Sequence, residues 1–86
     1  MDMTMKKARK ALSHRFAALV SCRKYFNRNE VYLQTLVLAD VLAEIRIRSR
    51  NGAERGLMID AQSALMKKDY ALLAEIADCW NELQQG

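Results

Sequence analysis

The residues from Glu30 to Ser49 form the most apolar segment of the chain, and this segment restricts the fold more than any other feature. On a helical wheel at ~100° per residue, apolar side chains cover more than half of its circumference. A helix at the surface of a globular protein normally has a single apolar stripe. We therefore expect a central helix that is buried on two sides, either by the other helices of the domain or partly by another chain.

A partner-binding surface is predicted on this helix, because Leu33 and Val37 lie beside its polar stripe. The stripe consists of Asp40, Glu44 and Arg48, and the spacing of Glu44 and Arg48 favours an ion pair between them. Complete coverage of the helix within one domain is the other interpretation, and the sequence leaves both open. The residues assigned to the predicted surface are Tyr32, Leu33, Leu36, Val37 and Val41.

The composition predicts an all-α fold. The chain of 86 residues contains no proline and three glycines, and 51% of its residues are hydrophobic. A sequence so poor in turn formers, and rich in good helix formers, indicates helices joined by short links. We expect a single small domain of about four helices, arranged as antiparallel helical hairpins. The predicted helices span approximately residues 4–26, 29–50, 54–66 and 70–84.

Two asparagines mark the expected ends of the central helix. Asn27 is a good N-cap, and Glu30 is placed to return a hydrogen bond to the cap backbone. Asn51 and Gly52 together predict a left-handed C-cap at the other end. The segment Arg50–Gly56 lacks the full pattern of a phosphate-binding loop, so we interpret it as a connector.

The first helix is predicted to be amphipathic and basic, in a chain with a net charge of +4. A face of this kind can bind phosphate groups, which makes a nucleic-acid-binding regulator the alternative function. The other interpretation is a solvated face whose charge is balanced by the acidic last helix. The candidate anion-binding residues are Lys6, Lys7, Lys10 and Lys24.

No catalytic or metal-binding pattern is found, so we expect a protein that is not an enzyme, uses no cofactor and has no small-molecule substrate. The single His14 and the distant Cys22 and Cys79 form no convincing metal site, and we expect both cysteines to be buried free thiols. His14 and Arg15 interrupt the apolar stretch that an export signal needs. No segment is apolar enough to span a membrane, so a cytoplasmic location is expected.

The segment from Ala61 to Ala71 resembles the turn of a tetratricopeptide-type helix pair. In that repeat, small residues on the first helix admit the second, and a Gly-Asp-Tyr-like turn joins them. Lys68 stands here at the position of the glycine, and Leu73 stands where alanine is usual. The match covers about thirty residues, and one repeat is too few for a solenoid.

The chain also resembles small bacterial type III secretion chaperones of the needle-subunit class in its size and its helicity. The resemblance includes two parts of this turn, Leu65-Met66 and Asp69-Tyr70-Ala71. That resemblance implies a cytoplasmic protein that holds an aggregation-prone helix of its partner. A second similarity is to small enterobacterial regulators with an A-x-x-A…DY…W pattern, although the separation of Tyr70 and Trp80 is longer here. We therefore expect a chaperone, adaptor or regulator that binds a protein partner or forms a homo-oligomer.

Overall fold

Four helices make up almost all of the computed structural model, which describes residues 4–24 and 28–85, with side chains at 22–24 left aside. No strand occurs in these ranges, and the predicted all-α fold is confirmed. Phe26 and Asn27, assigned above to a helix end and an N-cap, lie outside the described residues. The helices are α1 (Met5–Lys24), α2 (Arg28–Arg48), α3 (Gly52–Met66) and α4 (Tyr70–Gln85).

The helices form an up-and-down bundle in which each helix packs on the next and α4 packs back on α1. Residue pairs across the seams show the directions. Trp80 near the end of α4 contacts Ser13 in the first half of α1, and Val31 near the start of α2 lines the same cleft as Leu65 near the end of α3. The bundle is small, with a radius of gyration of 12.1 Å, and the expected antiparallel hairpins are confirmed.

One continuous core joins the four helices, and every helix contributes to it. Trp80 is fully buried, and its indole N–H donates to Ser13 Oγ at 3.0 Å, so its polar edge is satisfied. Met58 is fully buried as well. The remaining core residues are Ala8, Leu12, Phe16, Leu19, Leu38, Leu42, Ile45, Ala61, Ala64, Leu73, Ile76 and Ala77.

The link between α2 and α3 differs from the prediction. Asn51 does not belong to a left-handed C-cap of α2, since its φ is −86° and Gly52 has no positive φ. It is instead the N-cap of α3, because its side-chain oxygen accepts from the backbone N–H groups of Ala53 at 2.9 Å and Glu54 at 3.2 Å. Most of the predicted connector at 50–56 is therefore the first turn of α3.

The turn between α3 and α4 has the left-handed residue that ends many helices. Lys68 has a φ of 56°, and its N–H donates to the carbonyl of Leu65 at 3.1 Å. The N–H of Asp69 donates to the carbonyl of Ala64 at 2.9 Å, which completes a Schellman motif. Asp69 then caps α4, since its carboxylate accepts from the N–H of Leu72 at 3.1 Å.

The expectation that both cysteines are buried is wrong for Cys79, which is exposed. The buried face of α4 is centred on Leu73 and Trp80. Cys79 precedes Trp80 and therefore lies about 100° away from it around the helix. The side chain of Cys22 lies outside the described residues.

Candidate partner-binding surface

The fully buried residues of α2 all lie in its second half. No residue from 28 to 37 is buried, whereas Leu38, Leu42 and Ile45 are fully buried. α2 packs on both α1 and α3, and Val31 in its first half packs against the core. Within the described ranges, these contacts leave the outer side of the first half of α2 exposed.

Four large apolar side chains are consequently in contact with solvent on the outer side of α2. Tyr32 is 65% exposed, Leu33 54%, Leu36 48% and Val37 36%. Their spacing places them together on two successive turns. We call these four residues the apolar face. Single exposed apolar residues are common, but a contiguous patch of this kind is typical of an interaction site.

The two ends of the apolar face differ in their surroundings. Val41, assigned to the same predicted surface, is partly buried and packs against the core, apart from these four residues. Asp40 and Glu44 follow along the outer side of α2 and are exposed. The predicted ion pair of Glu44 and Arg48 is confirmed, with an N–O distance of 2.9 Å. The apolar face is thus bordered by carboxylates toward the end of the helix.

An open cleft adjoins the apolar face where α2 begins, α3 ends and α4 begins. Its volume is about 740 Å³, and Tyr32 lies in both the cleft and the apolar face. The half-buried residues Val31 and Thr35 form part of its lining. The residues that line this open cleft are Arg28, Val31, Tyr32, Thr35, Leu65, Lys68 and Tyr70.

A shallower groove continues along the seam between α2 and α3, with a volume of about 520 Å³. Leu65 lines both the open cleft and this groove. Two further exposed apolar side chains, Ile59 and Met66, border the groove. Apolar surface that is accessible to a partner therefore extends from the apolar face across the α2–α3 seam.

The predicted anion-binding residues lie on α1. Lys6, Lys7 and Lys10 are exposed. Lys24 ends α1, and its side chain is outside the described part. In the described part of the chain, no ion pair within 4.0 Å joins α1 to the acidic residues of α4. The expected balance of charge between these helices is not made by direct pairs there.

A buried carboxylate at the other end of the bundle was missed by the sequence analysis. Glu54 is only 3% exposed, and it pairs with Arg9 of α1 through N–O distances of 2.8 and 3.0 Å. The hydroxyl of Ser49 donates to it at 2.7 Å, and the amide of Gln84 at 2.9 Å. One side chain thus joins α1, the α2–α3 link, α3 and α4.

Burial alone would raise the pKa of Glu54, because it disfavours the charged carboxylate. The hydrogen bonds from Arg9, Gln84 and Ser49, with the charge of Arg9, outweigh burial and hold the pKa below its ordinary value. All three donor residues belong to parts of the fold that meet at Glu54, so this cluster is a structural junction. A local signal existed, since an N-cap asparagine followed three residues later by Glu54 is a helix start pattern.

In comparisons with known proteins, no family model, curated protein or solved structure matches the chain. The surface is therefore interpreted from its own geometry. Among residues 4–24 and 28–85, no helix has the length and apolar character needed to cross a bilayer. The same residues contain no group of three or more histidine, cysteine or acidic side chains placed to hold a metal ion.

Proposed function

We propose that this protein is a non-catalytic binding protein that holds an apolar helix of another protein against the apolar face of α2, as a small chaperone or adaptor does. The observation that carries the proposal is the exposure of Tyr32, Leu33, Leu36 and Val37 on two successive turns. A partner helix that presents its own apolar stripe would pack against these turns and remove them from water.

The surroundings of the apolar face favour a different protein over a second copy as the occupant. Asp40 and Glu44 continue the outer side of α2 beyond the apolar residues. A parallel pair of α2 helices would bring these carboxylates against their own counterparts, and like charges in contact oppose association. A partner helix with basic residues at the corresponding positions meets no such repulsion. The resemblance to secretion chaperones, which hold partner helices, agrees with this choice.

The test is a double substitution in the centre of the apolar face, Leu33→Glu with Val37→Glu. Partners captured from the native host by the wild-type protein are identified and purified, and their dissociation constants are measured. We expect the double variant to bind at least about tenfold more weakly, because charge is placed in the centre of the interface. Its free energy of unfolding should change by less than about 1 kcal/mol, since both positions are on the surface.

The matched control is Val20→Glu with Leu72→Glu, which places the same two charges on exposed apolar residues of α1 and α4. This variant should bind the purified partner as the wild type does. Equal loss of binding in both variants would contradict the proposal. The molar mass of the isolated wild type, measured by light scattering, is the second decisive result. If the wild type is a dimer and the double variant Leu33→Glu with Val37→Glu is a monomer, a second copy of the chain is the occupant.

A nucleic-acid-binding function is the second candidate. It is favoured by the exposure of Lys6, Lys7 and Lys10, which have no paired carboxylate within 4.0 Å among residues 4–24 and 28–85. If these residues contact phosphates, their joint change to glutamine should weaken binding to duplex DNA and flatten its salt dependence, by about 0.9 in slope per lost contact. No aromatic residue lies among the lysines to stack on a base, which favours a solvated face. Wild-type binding that is insensitive to salt would eliminate this candidate.

A further inference from the structure

We propose that the open cleft binds an acidic peptide segment of the partner protein, with one apolar side chain inside the cleft and carboxylates at its rim. This inference rests on the proposed function and adds the chemistry of the segment that is recognised. Tyr32 connects the two sites, because it belongs to the apolar face and also lines the cleft. A partner that covers the apolar face therefore also borders the cleft.

The interior of the cleft is suited to an apolar side chain. Val31, Thr35 and Leu65 are half-buried in its lining, and Tyr32 and Tyr70 add aromatic surface. The hydroxyl proton of Thr35 is used within α2, where it is donated to the carbonyl of Val31 at 2.7 Å. A volume of about 740 Å³ is within the range of sites that bury small ligands or peptide side chains.

The charges around the cleft select for carboxylates. Arg28 and Lys68 line it, both are exposed, and none of the described residues in the lining is acidic. Neither of these two cations has a carboxylate within 4.0 Å in the described part of the chain. The Schellman motif fixes the backbone of Lys68 beside the cleft that this residue lines. A segment that carries acidic residues beside its apolar anchor would complement both cations.

The nearest carboxylates of the protein itself are already engaged. Glu30 accepts a hydrogen bond from the Gln34 amide at 2.9 Å, and Asp69 accepts from the backbone N–H of Leu72 at 3.1 Å. These hydrogen bonds leave both carboxylates charged, so the preference for an acidic segment rests on the two cations that line the cleft, Arg28 and Lys68.

The experiment is a titration of the isotope-labelled protein, followed by amide chemical shifts. The probe is an acetylated and amidated hexapeptide with a central leucine pair flanked by glutamates, and the comparison probe has lysines in place of the glutamates. We expect the acidic peptide to shift amides at the start of α2 and in the α3–α4 turn, and the basic peptide to leave them unchanged. Equal binding of the two peptides would overturn the proposal.

Substitutions identify the cations that are responsible. Arg28→Gln with Lys68→Gln should weaken binding of the acidic peptide by about fivefold or more, since two ion pairs at an exposed rim are lost. The matched control, Arg55→Gln with Lys67→Gln, removes two exposed positive charges that do not line the cleft. It should leave binding unchanged. The same loss in both double variants would show a general charge effect and would contradict the assignment.

The outcome is separable from that of the proposed function. If Leu33→Glu with Val37→Glu releases the native partner while Arg28→Gln with Lys68→Gln retains it with unchanged affinity, the apolar face is correct and the cleft assignment is wrong. The assignment would also be overturned if the isolated protein is a dimer and the double variant Arg28→Gln with Lys68→Gln is a monomer. The cleft would then hold a second copy of the chain.

Discussion

Lys68 has the one positive φ found among the residues that the structure describes, at 56°. A side chain in this left-handed conformation costs free energy, because its Cβ is too close to the following carbonyl oxygen, and glycine avoids that cost. The fold requires the conformation, since the N–H groups of Lys68 and Asp69 satisfy two carbonyls at the end of α3. A lysine at this position therefore costs some stability, but it supplies a cation at the rim of the open cleft.

The substitution Lys68→Gly should raise the free energy of unfolding by about 0.5–1 kcal/mol, because the glycine takes the left-handed conformation without strain. Urea denaturation followed by circular dichroism measures the change. Lys67→Gly is the control, since Lys67 has a φ of −87° and gains nothing from glycine. A Lys68→Gly variant less stable than the wild type would show that the lysine side chain stabilises the turn by more than its strain costs.

At the scale of the helices, periodicity in the sequence was sufficient to find α1, α2 and α4 and most of their buried residues. The amphipathic pattern of α4 identifies Leu73, Ile76 and Trp80, and all three are buried. The same reasoning showed that α2 has more apolar surface than one side of a helix needs. It did not show which part of α2 stays exposed, because that depends on where the neighbouring helices end.

The start of α3 could not be assigned from the local sequence pattern. Asn51 followed by Gly52 is compatible with the end of one helix and with the start of the next, because asparagine and glycine are common at both positions. The structure resolves the choice through Glu54, whose position one turn later is fixed by partners far away in the chain. Arg9 is 45 residues distant and Gln84 is 30 residues distant. Local patterns carry no information on such contacts.

On the scale of the whole molecule, Glu54 is the point at which the ends of the helices meet. Its carboxylate accepts from Arg9 of α1, Ser49 of the α2–α3 link and Gln84 of α4, so three separate parts of the chain depend on one charge. The open cleft lies at the opposite end of the bundle, where α2 begins and α3 ends. The bundle therefore has a tightly bonded end and an open end, and the proposed binding surface belongs to the open one.

The substitution Glu54→Gln should lower the free energy of unfolding by about 2 kcal/mol, because it leaves Arg9 without its charged partner in a buried junction. The loss is limited, since the Arg9 side chain is 35% exposed and water reaches it. Glu44→Gln is the control, because it removes an exposed pair on α2 and should cost less than about 1 kcal/mol. Urea denaturation measures both variants, and equal losses would contradict the role of Glu54.

The stability of the wild-type bundle should depend on pH through the same carboxylate. The pKa of Glu54 in the folded protein lies below 4.5, its ordinary value, so at pH values well above 4.5 the carboxylate is ionised in both states and its full contribution is present. As the pH falls below 4.5, the unfolded chain takes up a proton first, and stability declines until the folded carboxyl is protonated too. The difference in unfolding free energy between wild type and Glu54→Gln, measured in urea at a series of pH values, should therefore shrink in acid. A difference that remains constant through that range would show that the charge of Glu54 does not stabilise the bundle.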